Sequence, residues 1–253
     1  MLINPVKSKL ANGQIVVGSF IYVPSAELTE IVGLLGFDFV VIDMEHGPID
    51  IGVAGDMVRA AELAEVTPII RVTHNTPHLI LRALDIGALG VHVPNVSDAE
   101  GARAAVSSVK YGPQGRRGLA GVRAARYGLE GSLPEYTVSA NQETMVIAHI
   151  EELQAIENLD ALLGVDGIDV YYLGPTDLSN TMGIPGQTKD ADVKALVEDA
   201  IRRIAAAGKT AGCIAVDVET AKRYTDLGAR YIASHAIRFM ANGSRRFIEE
   251  VRS

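Results

Sequence analysis

Short apolar runs and longer stretches of helical periodicity alternate along the whole chain. The clearest run, residues 39–42, is apolar at every position and ends abruptly in Asp43, Glu45 and His46, followed by a Gly-Pro pair. A buried parallel strand has this appearance, because both of its faces are covered. The carboxyl ends of such strands are where α/β proteins build their sites.

The same pattern predicts eight strands, at residues 15–21, 39–42, 67–72, 90–94, 144–150, 168–173, 210–216 and 230–234. Helices are predicted between them, at residues 25–35, 50–64, 77–86, 98–109, 133–142, 154–163, 192–207, 218–227 and 237–252. The alternation fails only at residues 111–132, which are rich in Gly and Arg. A stretch of this length without periodicity is either a functional loop or a disordered segment.

Strands that alternate with helices pair in parallel through right-handed crossovers. Eight such units in about 250 residues favour a closed (β/α)₈ TIM barrel over a doubly wound sheet. The latter would need a Gly-rich phosphate turn after the first strand, and the sequence has none there. No linker or shift in composition marks a boundary, so we expect one domain over residues 1–253.

Composition narrows the class of protein further. The chain has 253 residues, a net charge of −8 and a single cysteine, Cys213, so neither an intrachain disulfide nor a cysteine-based zinc cage is expected. The acidic balance argues against a nucleic-acid partner. No apolar run approaches the ~20 residues that span a membrane, and the first ten residues do not resemble a signal peptide. We therefore expect a cytoplasmic protein without a membrane partner.

Polar side chains at the predicted strand ends are the candidates for chemistry, because barrel enzymes build their sites on that face. They are Asp43, Glu45, His46, Arg71, Asn95, His149, Glu151, Glu152, Thr176, Asp177, Asp217 and His235.

Glu151 and Asp177 follow neighbouring strands, so their carboxylates can converge. Two oxygen ligands with open positions suit Mg²⁺ or Mn²⁺. His46 and His149 could extend the set to a nitrogen-ligated transition metal. The alternative is that each carboxylate caps the following helix or pairs with a loop arginine.

Two further side chains each have two interpretations. His46 is either a general base, because its pKa lies near neutrality, or a hydrogen-bonded loop histidine. Arg71 ends an apolar strand, so it faces either a substrate anion or Asp43 and Glu45. The arginines of the long loop have three interpretations: they bind an anionic substrate tail, they lie in solvent, or they contact another subunit. These residues are Arg116, Arg117, Arg123 and Arg126. The remaining histidines, including His92 and His235, are expected to start helices or to pack as polar residues.

Five stretches together resemble one family. They are residues 36–48 (GFDFVVIDMEHGP), 70–72 (IRV), 84–94 (LDIGALGVHVP), 111–118 (YGPQGRRG) and 167–179 (GIDVYYLGPTDLS). In this order they resemble the class II pyruvate aldolases of the HpcH/HpaI family, typified by 4-hydroxy-2-oxo-heptane-1,7-dioate aldolase and including 2-dehydro-3-deoxyglucarate aldolases. The resemblance covers nearly the whole chain.

The resemblance implies a barrel with a divalent metal (Mg²⁺, Mn²⁺ or Co²⁺) that cleaves 4-hydroxy-2-oxo acids to pyruvate and an aldehyde. Glu151 and Asp177 would hold the metal, and Asp177 would also lie against the substrate. Arg71 would bind pyruvate and its enolate oxygen. His46 would be the base, acting through metal-bound water, and Asp85 would raise its basicity.

The family also implies that the backbone around Thr176 binds the substrate carboxylate, and that the chain forms hexamers whose last helix packs on a neighbouring subunit. His149 stands where a substrate-binding Gln is usual, and Thr176 where a smaller Ala or Ser is usual. Asp85 precedes the fourth strand, which places it at the opposite end of the barrel from the metal. A contact across a subunit boundary would reconcile its position with its implied role.

Three alternatives can be weighed on the same residues. A Schiff-base aldolase needs a lysine at a strand end, and no predicted strand carries one. An acyl-CoA lyase or a related carbon–carbon-bond-forming synthase would need a basic groove for the nucleotide, whereas this chain is acidic. A barrel that binds an oxo acid without turnover would lack metal-dependent catalysis.

Overall fold

Eight parallel strands form a closed barrel in the computed structural model, which describes residues 3–253. Each strand pairs with its sequence neighbours, and β8 closes on β1. The predicted (β/α)₈ TIM barrel in one domain is therefore confirmed. The strands are β1 Val16–Ile21, β2 Phe39–Asp43, β3 Thr67–Arg71, β4 Gly90–Val93, β5 Met145–Ile150, β6 Val170–Leu173, β7 Ala211–Ile214 and β8 Tyr231–His235.

The helices surround the barrel and cap its ends. They are α1 Pro5–Ala11, α2 Ala26–Leu34, α3 Ile51–Leu63, α4 Pro77–Asp85, α5 Ala99–Val109, α6 Leu133–Glu143, α7 Leu153–Glu157, α8 Leu159–Leu163, α9 Pro175–Thr181, α10 Ala191–Ala206, α11 Val218–Asp226 and α12 Ala236–Arg252, with a 3₁₀ helix at Arg123–Gly128. Within residues 3–253, no helix is long and apolar enough to span a bilayer.

The core has two layers, because successive side chains of a strand point to opposite faces. Phe39, Val41 and Ile69 point into the barrel, while Val40 and Ile42 pack under the helices. The amino-terminal end is closed by α1, whose Val6 is fully buried among the interior residues. Cavity space therefore remains at the carboxyl-terminal end of the strands.

Most predicted elements are confirmed to within two residues. The helical segments differ from the prediction in two ways: short helices are added, and one predicted helix is divided. The structure adds α1 and α9, each of seven residues, too short to show helical periodicity. Both begin with Pro at the first helical turn, a position that favours proline. The single helix predicted at residues 154–163 is divided into α7 and α8 at Asn158, whose backbone leaves the helical conformation.

Candidate active site

Arg71 forms a closed ion-pair network with the carboxylates that follow β2. Its Nε donates to Asp43 Oδ1 at 2.9 Å, its Nη2 donates to Asp43 Oδ2, and its Nη1 lies 3.1 Å from Glu45 Oε2. Asp43 and Arg71 are direct neighbours in the register of β2 and β3, which brings their side chains together. The structural ion pair considered for Arg71 therefore exists, and Arg71 also lines the main cavity.

Asp43 also shapes the turn that follows it. Its fully buried Oδ1 accepts hydrogen bonds from the backbone N–H groups of Glu45 and His46. This turn brings His46 to the rim of the cavity, where its side chain is 59 % exposed and its Nε2 lies 4.0 Å from Glu45 Oε2. An exposed imidazole can exchange protons with both the cavity and solvent.

Glu151 is a buried carboxylate held by two donors. Its Oε1 accepts from the backbone N–H of Asn95 at 2.9 Å, and its Oε2 lies 2.9 Å from His149 Nδ1. Asn95 has a left-handed backbone, with φ of 54°. Burial would raise the pKa of Glu151, but the His149 imidazole and these hydrogen bonds lower it to about 2. The side chain is ionised at neutral pH.

Asp177 lies in the first turn of α9 and faces the same cavity. Burial raises the pKa of Asp177, and repulsion from Glu151 raises it further. Two adjacent carboxylates that repel each other are a donor set suited to a hard divalent cation. Neither one is the N-cap of the following helix, so the capping alternative is wrong for both.

Gly174 gives Glu151 the room it occupies. A Cβ atom at Gly174 would lie 2.9 Å from Glu151 Cβ and 3.0 Å from its Oε2. The backbone after β6 therefore passes directly over the carboxylate. This glycine also precedes Pro175 and Thr176, which start α9, so one short turn holds Asp177 and the Thr176 backbone close to Glu151.

His149 has hydrogen-bond partners on both ring nitrogens. Its Nε2 lies 2.7 Å from His92 Nδ1, and His92 Nε2 lies 2.8 Å from the Tyr231 hydroxyl. His92 was expected to be a packed polar residue, which is confirmed by its complete burial, but its link to Glu151 through His149 was not foreseen. The sequence signal was a histidine inside an otherwise apolar strand.

Asp85 lies apart from these residues. It ends α4, at the amino-terminal end of the barrel, and contacts Arg117 Nη2 at 2.9 Å. Within one chain Asp85 is therefore far from His46. Its position before β4 had already indicated this separation. Its proposed effect on His46 stays a prediction that requires a second subunit.

The loop arginines also lie away from the main cavity within one chain. Arg117 pairs with Asp85, and Arg123 binds Glu62 and the Ile86 carbonyl. Lys110 is buried with a pKa lowered by burial to about 8, yet it donates to Asn141 and Thr144 carbonyls beside the start of β5. None of the eight strands carries a lysine, as predicted.

The main cavity has a volume of about 810 Å³, which suits a small metabolite. It joins His46, Arg71, His149, Glu151, Thr176 and Asp177. Six of the seven predicted site residues thus converge, and Asp85 does not. No group of three or more His, Cys, Asp or Glu side chains that could hold a metal occurs in the described part of the chain, so any ion would take its remaining ligands from substrate or water.

Comparison with known proteins defines the class of this barrel. Residues 17–237 match the HpcH/HpaI aldolase/citrate lyase family model. The chain belongs to this family. It is 40 % identical over 235 residues to 2-keto-3-deoxy-L-rhamnonate aldolase of Klebsiella pneumoniae subsp. pneumoniae, covering 92 % of this chain and 87 % of that protein.

Two further relatives carry different names, one an aldolase and the other a citrate synthase. A hydroxypyruvate/pyruvate aldolase of Roseovarius nubinhibens is 36 % identical, covering 91 % of this chain and 89 % of that protein. The solved structure of the citrate synthase SbnG is 31 % identical with a TM-score of 0.86, covering 97 % of each chain. The aldolase relatives over most of the chain identify it as an aldehyde-lyase.

Proposed function

We propose that this protein is a divalent-metal-dependent aldolase that cleaves 4-hydroxy-2-oxo acids to pyruvate, or a close 2-oxo acid, and an aldehyde, and that it also catalyses the reverse reaction. The observation that carries the proposal is the convergence of Glu151, Asp177 and Arg71 in one cavity without a strand lysine. The names of the aldolase relatives support the substrate class.

Glu151 and Asp177 would hold the ion, which would supply Lewis-acid polarisation of the 2-oxo acid oxygens. Mg²⁺, Mn²⁺ and Co²⁺ fit two carboxylates and open positions. The residues fit such a group, because both carboxylates face one cavity, and burial together with the charge of Glu151 raises the pKa of Asp177.

Cleavage breaks the bond between C3 and C4 and leaves its electron pair on the three-carbon fragment, while the 4-hydroxyl loses its proton. Arg71 supplies fixed positive charge where that negative charge develops, and its Nη1 and Nη2 each keep one hydrogen that Asp43 and Glu45 do not take. His46 takes the hydroxyl proton at the cavity rim, and a proton returned to C3 of the enolate from His46 or solvent gives pyruvate. The backbone N–H groups around Thr176 and the side chain of Asp177 orient the substrate.

Chelation tests the metal part of this proposal. Activity with a 4-hydroxy-2-oxo acid should disappear after exhaustive dialysis against EDTA and return with Mg²⁺, Mn²⁺ or Co²⁺. Glu151→Gln and Asp177→Asn should remain folded but bind the ion poorly, and Asp217→Asn is a matched control because Asp217 lines the same cavity but caps α11. Full activity in a preparation with no measurable metal would contradict the proposal.

The similarity to a citrate synthase keeps one alternative open: formation of a carbon–carbon bond from another 2-oxo acid or an acyl thioester. A panel of aldehydes and acyl-CoA thioesters offered with pyruvate or oxaloacetate, with product detection by mass spectrometry, separates the two functions. Products from aldehydes alone support the aldolase.

We also propose that the protein forms a homo-oligomer, either a hexamer or a trimer of dimers, in the cytoplasm. Large apolar side chains of α12 are exposed, among them Phe239, Met240, Phe247 and Val251, and α2 exposes Leu34 and Leu35. Such surface is usually covered by a partner.

The variant Phe247→Glu tests the role of α12 in the subunit contact. It should lower the molar mass of the assembly measured by light scattering, and an unchanged molar mass would exclude α12 from the subunit contact.

A further inference from the structure

A column of polar side chains runs through the barrel interior to the site. It comprises Tyr231 on β8, His92 on β4, His149 on β5 and Glu151 just beyond β5. Each of the four is at most 4 % exposed. Consecutive members are joined at 2.8, 2.7 and 2.9 Å. Barrel interiors are usually filled by branched apolar residues, so a buried polar column is an unusual use of this space.

The hydrogen bonds of His149 use both of its ring nitrogens. An ionised Glu151 can only accept, so His149 Nδ1 carries the hydrogen of that bond. His149 Nε2 lies against His92 Nδ1, and His92 Nε2 lies against the Tyr231 hydroxyl. Neither nitrogen of His149 is therefore free to face the cavity.

Aromatic rings hold the two imidazoles in place. The Phe20 ring lies 5.4 Å from His92, and the Tyr172 ring lies 4.9 Å from His92 and 5.0 Å from His149, measured between ring centroids. Neither imidazole can turn without moving a ring of the interior core. The orientation of the column is therefore fixed by packing as well as by hydrogen bonds.

We propose that His92 and Tyr231 are positioning residues that hold the His149 ring with its Nδ1–H directed at Glu151 Oε2. Because both ring nitrogens are engaged inside the column, His149 has no free lone pair for the cavity and cannot ligate a metal through nitrogen. Glu151 keeps its remaining lone pairs for the cavity, and the metal site is restricted to oxygen ligands. The consequence for metal choice rests on the proposed function, whereas the orientation of His149 does not.

Nitrogen NMR of the metal-free, full-length protein with ¹⁵N-labelled histidine tests the orientation of His149 directly. Long-range ¹H–¹⁵N correlation spectra at neutral pH should show a hydrogen on Nδ1 of His149. Signals are assigned with His92→Phe and His149→Gln. A His149 ring that carries its hydrogen at Nε2 alone would overturn the proposal.

Two tyrosine variants separate positioning from packing. Tyr231→Phe removes the hydroxyl that contacts His92 Nε2, and it should shift the His92 and His149 nitrogen signals and weaken Mn²⁺ binding about tenfold. His92→Phe should weaken it by about 10–100-fold, the range for partners of metal ligands. Tyr172→Phe is the matched control, because that buried hydroxyl has no partner in the described chain and should be dispensable.

Calorimetric titration with Mn²⁺ as the probe gives the affinities. Equal losses in Tyr231→Phe and Tyr172→Phe would mean that the interior merely needs two tyrosines, which overturns the positioning role. If the wild-type protein binds no Mn²⁺, the metal part of the proposed function fails, and the nitrogen spectra still decide whether the column is ordered as described.

Discussion

Two buried arginines lie at opposite ends of the barrel and are satisfied to different degrees. Arg71 binds Asp43 through Nε and Nη2 and Glu45 through Nη1, all within its own chain. Arg117 binds Asp85 through Nη2 only and lies over the Tyr111 ring, and its Nε and Nη1 have no partner in the described chain. The first network is complete in one chain, and the second is not.

The difference indicates where each region finds its missing partners. A buried donor without an acceptor is unfavourable, so the surroundings of Arg117 need acceptors from outside the chain. A second copy of the chain fits the proposed oligomer, and it is also the arrangement that would bring Asp85 to another subunit's His46. The Arg71 network instead faces the main cavity, where the proposed metal and substrate would bind.

The largest expected effect comes from breaking the complete network. Arg71→Lys keeps the charge but loses the fork that grips Asp43, and turnover should fall by about 10²–10³ if Arg71 stabilises developing negative charge. Steady-state kinetics should be measured beside thermal melting and exchange of pyruvate methyl protons with solvent deuterium. A large melting shift with unchanged exchange would show that Arg71 is only structural.

The incomplete network should respond chiefly in stability. Asp85→Asn removes the carboxylate that pairs with buried Arg117 and should lower the free energy of unfolding by roughly 3 kcal/mol. Urea denaturation measures the free energy of unfolding. The double variant Asp85→Leu with Arg117→Met should recover most of the lost stability. A loss of activity in the folded, assembled Asp85→Asn protein would support the contact with His46 across subunits, and unchanged activity would contradict it.

A smaller effect is expected at His235, near Arg71. Burial, and next the charge of Arg238, lower its pKa to about 4. The unfolded chain, with a pKa of about 6.5, then binds more protons than the folded chain between these values, so stability falls as pH drops from 6.5 to 4. His235→Phe should remove roughly 1–2 kcal/mol of this dependence after allowance for solvent screening. Parallel unfolding curves for the two proteins across that range would refute it.

The smallest effect is expected at an exposed arginine. Arg246 pairs with Glu250 one turn away on α12, and both side chains are mostly exposed. Arg246→Gln should change the free energy of unfolding by no more than about 0.5 kcal/mol. This variant is the reference for arginine loss without burial, and a larger change would indicate that α12 is covered in the folded protein.

The sequence predicted those features that depend on local periodicity. The abrupt change from the apolar run of β2 to Asp43 identified the carboxyl-terminal face, and the same change after β5 and β6 identified Glu151 and Asp177. Elements of seven residues were missed, because α1 and α9 bury few side chains and have no repeat to detect. Partners separated by about 140 residues, such as His92 and Tyr231, depend on closure of the barrel and have no local signal.

The turn after β6 has a consequence for tolerance to mutation. Gly174 has no side chain and takes part in no reaction step, yet any side chain there would collide with Glu151. In a saturation scan, position 174 should therefore be as intolerant as a catalytic position, and Gly174→Ala should reduce Mn²⁺ affinity more than it reduces stability. The space that Gly174 leaves for the Glu151 carboxylate is therefore as necessary as the carboxylate itself.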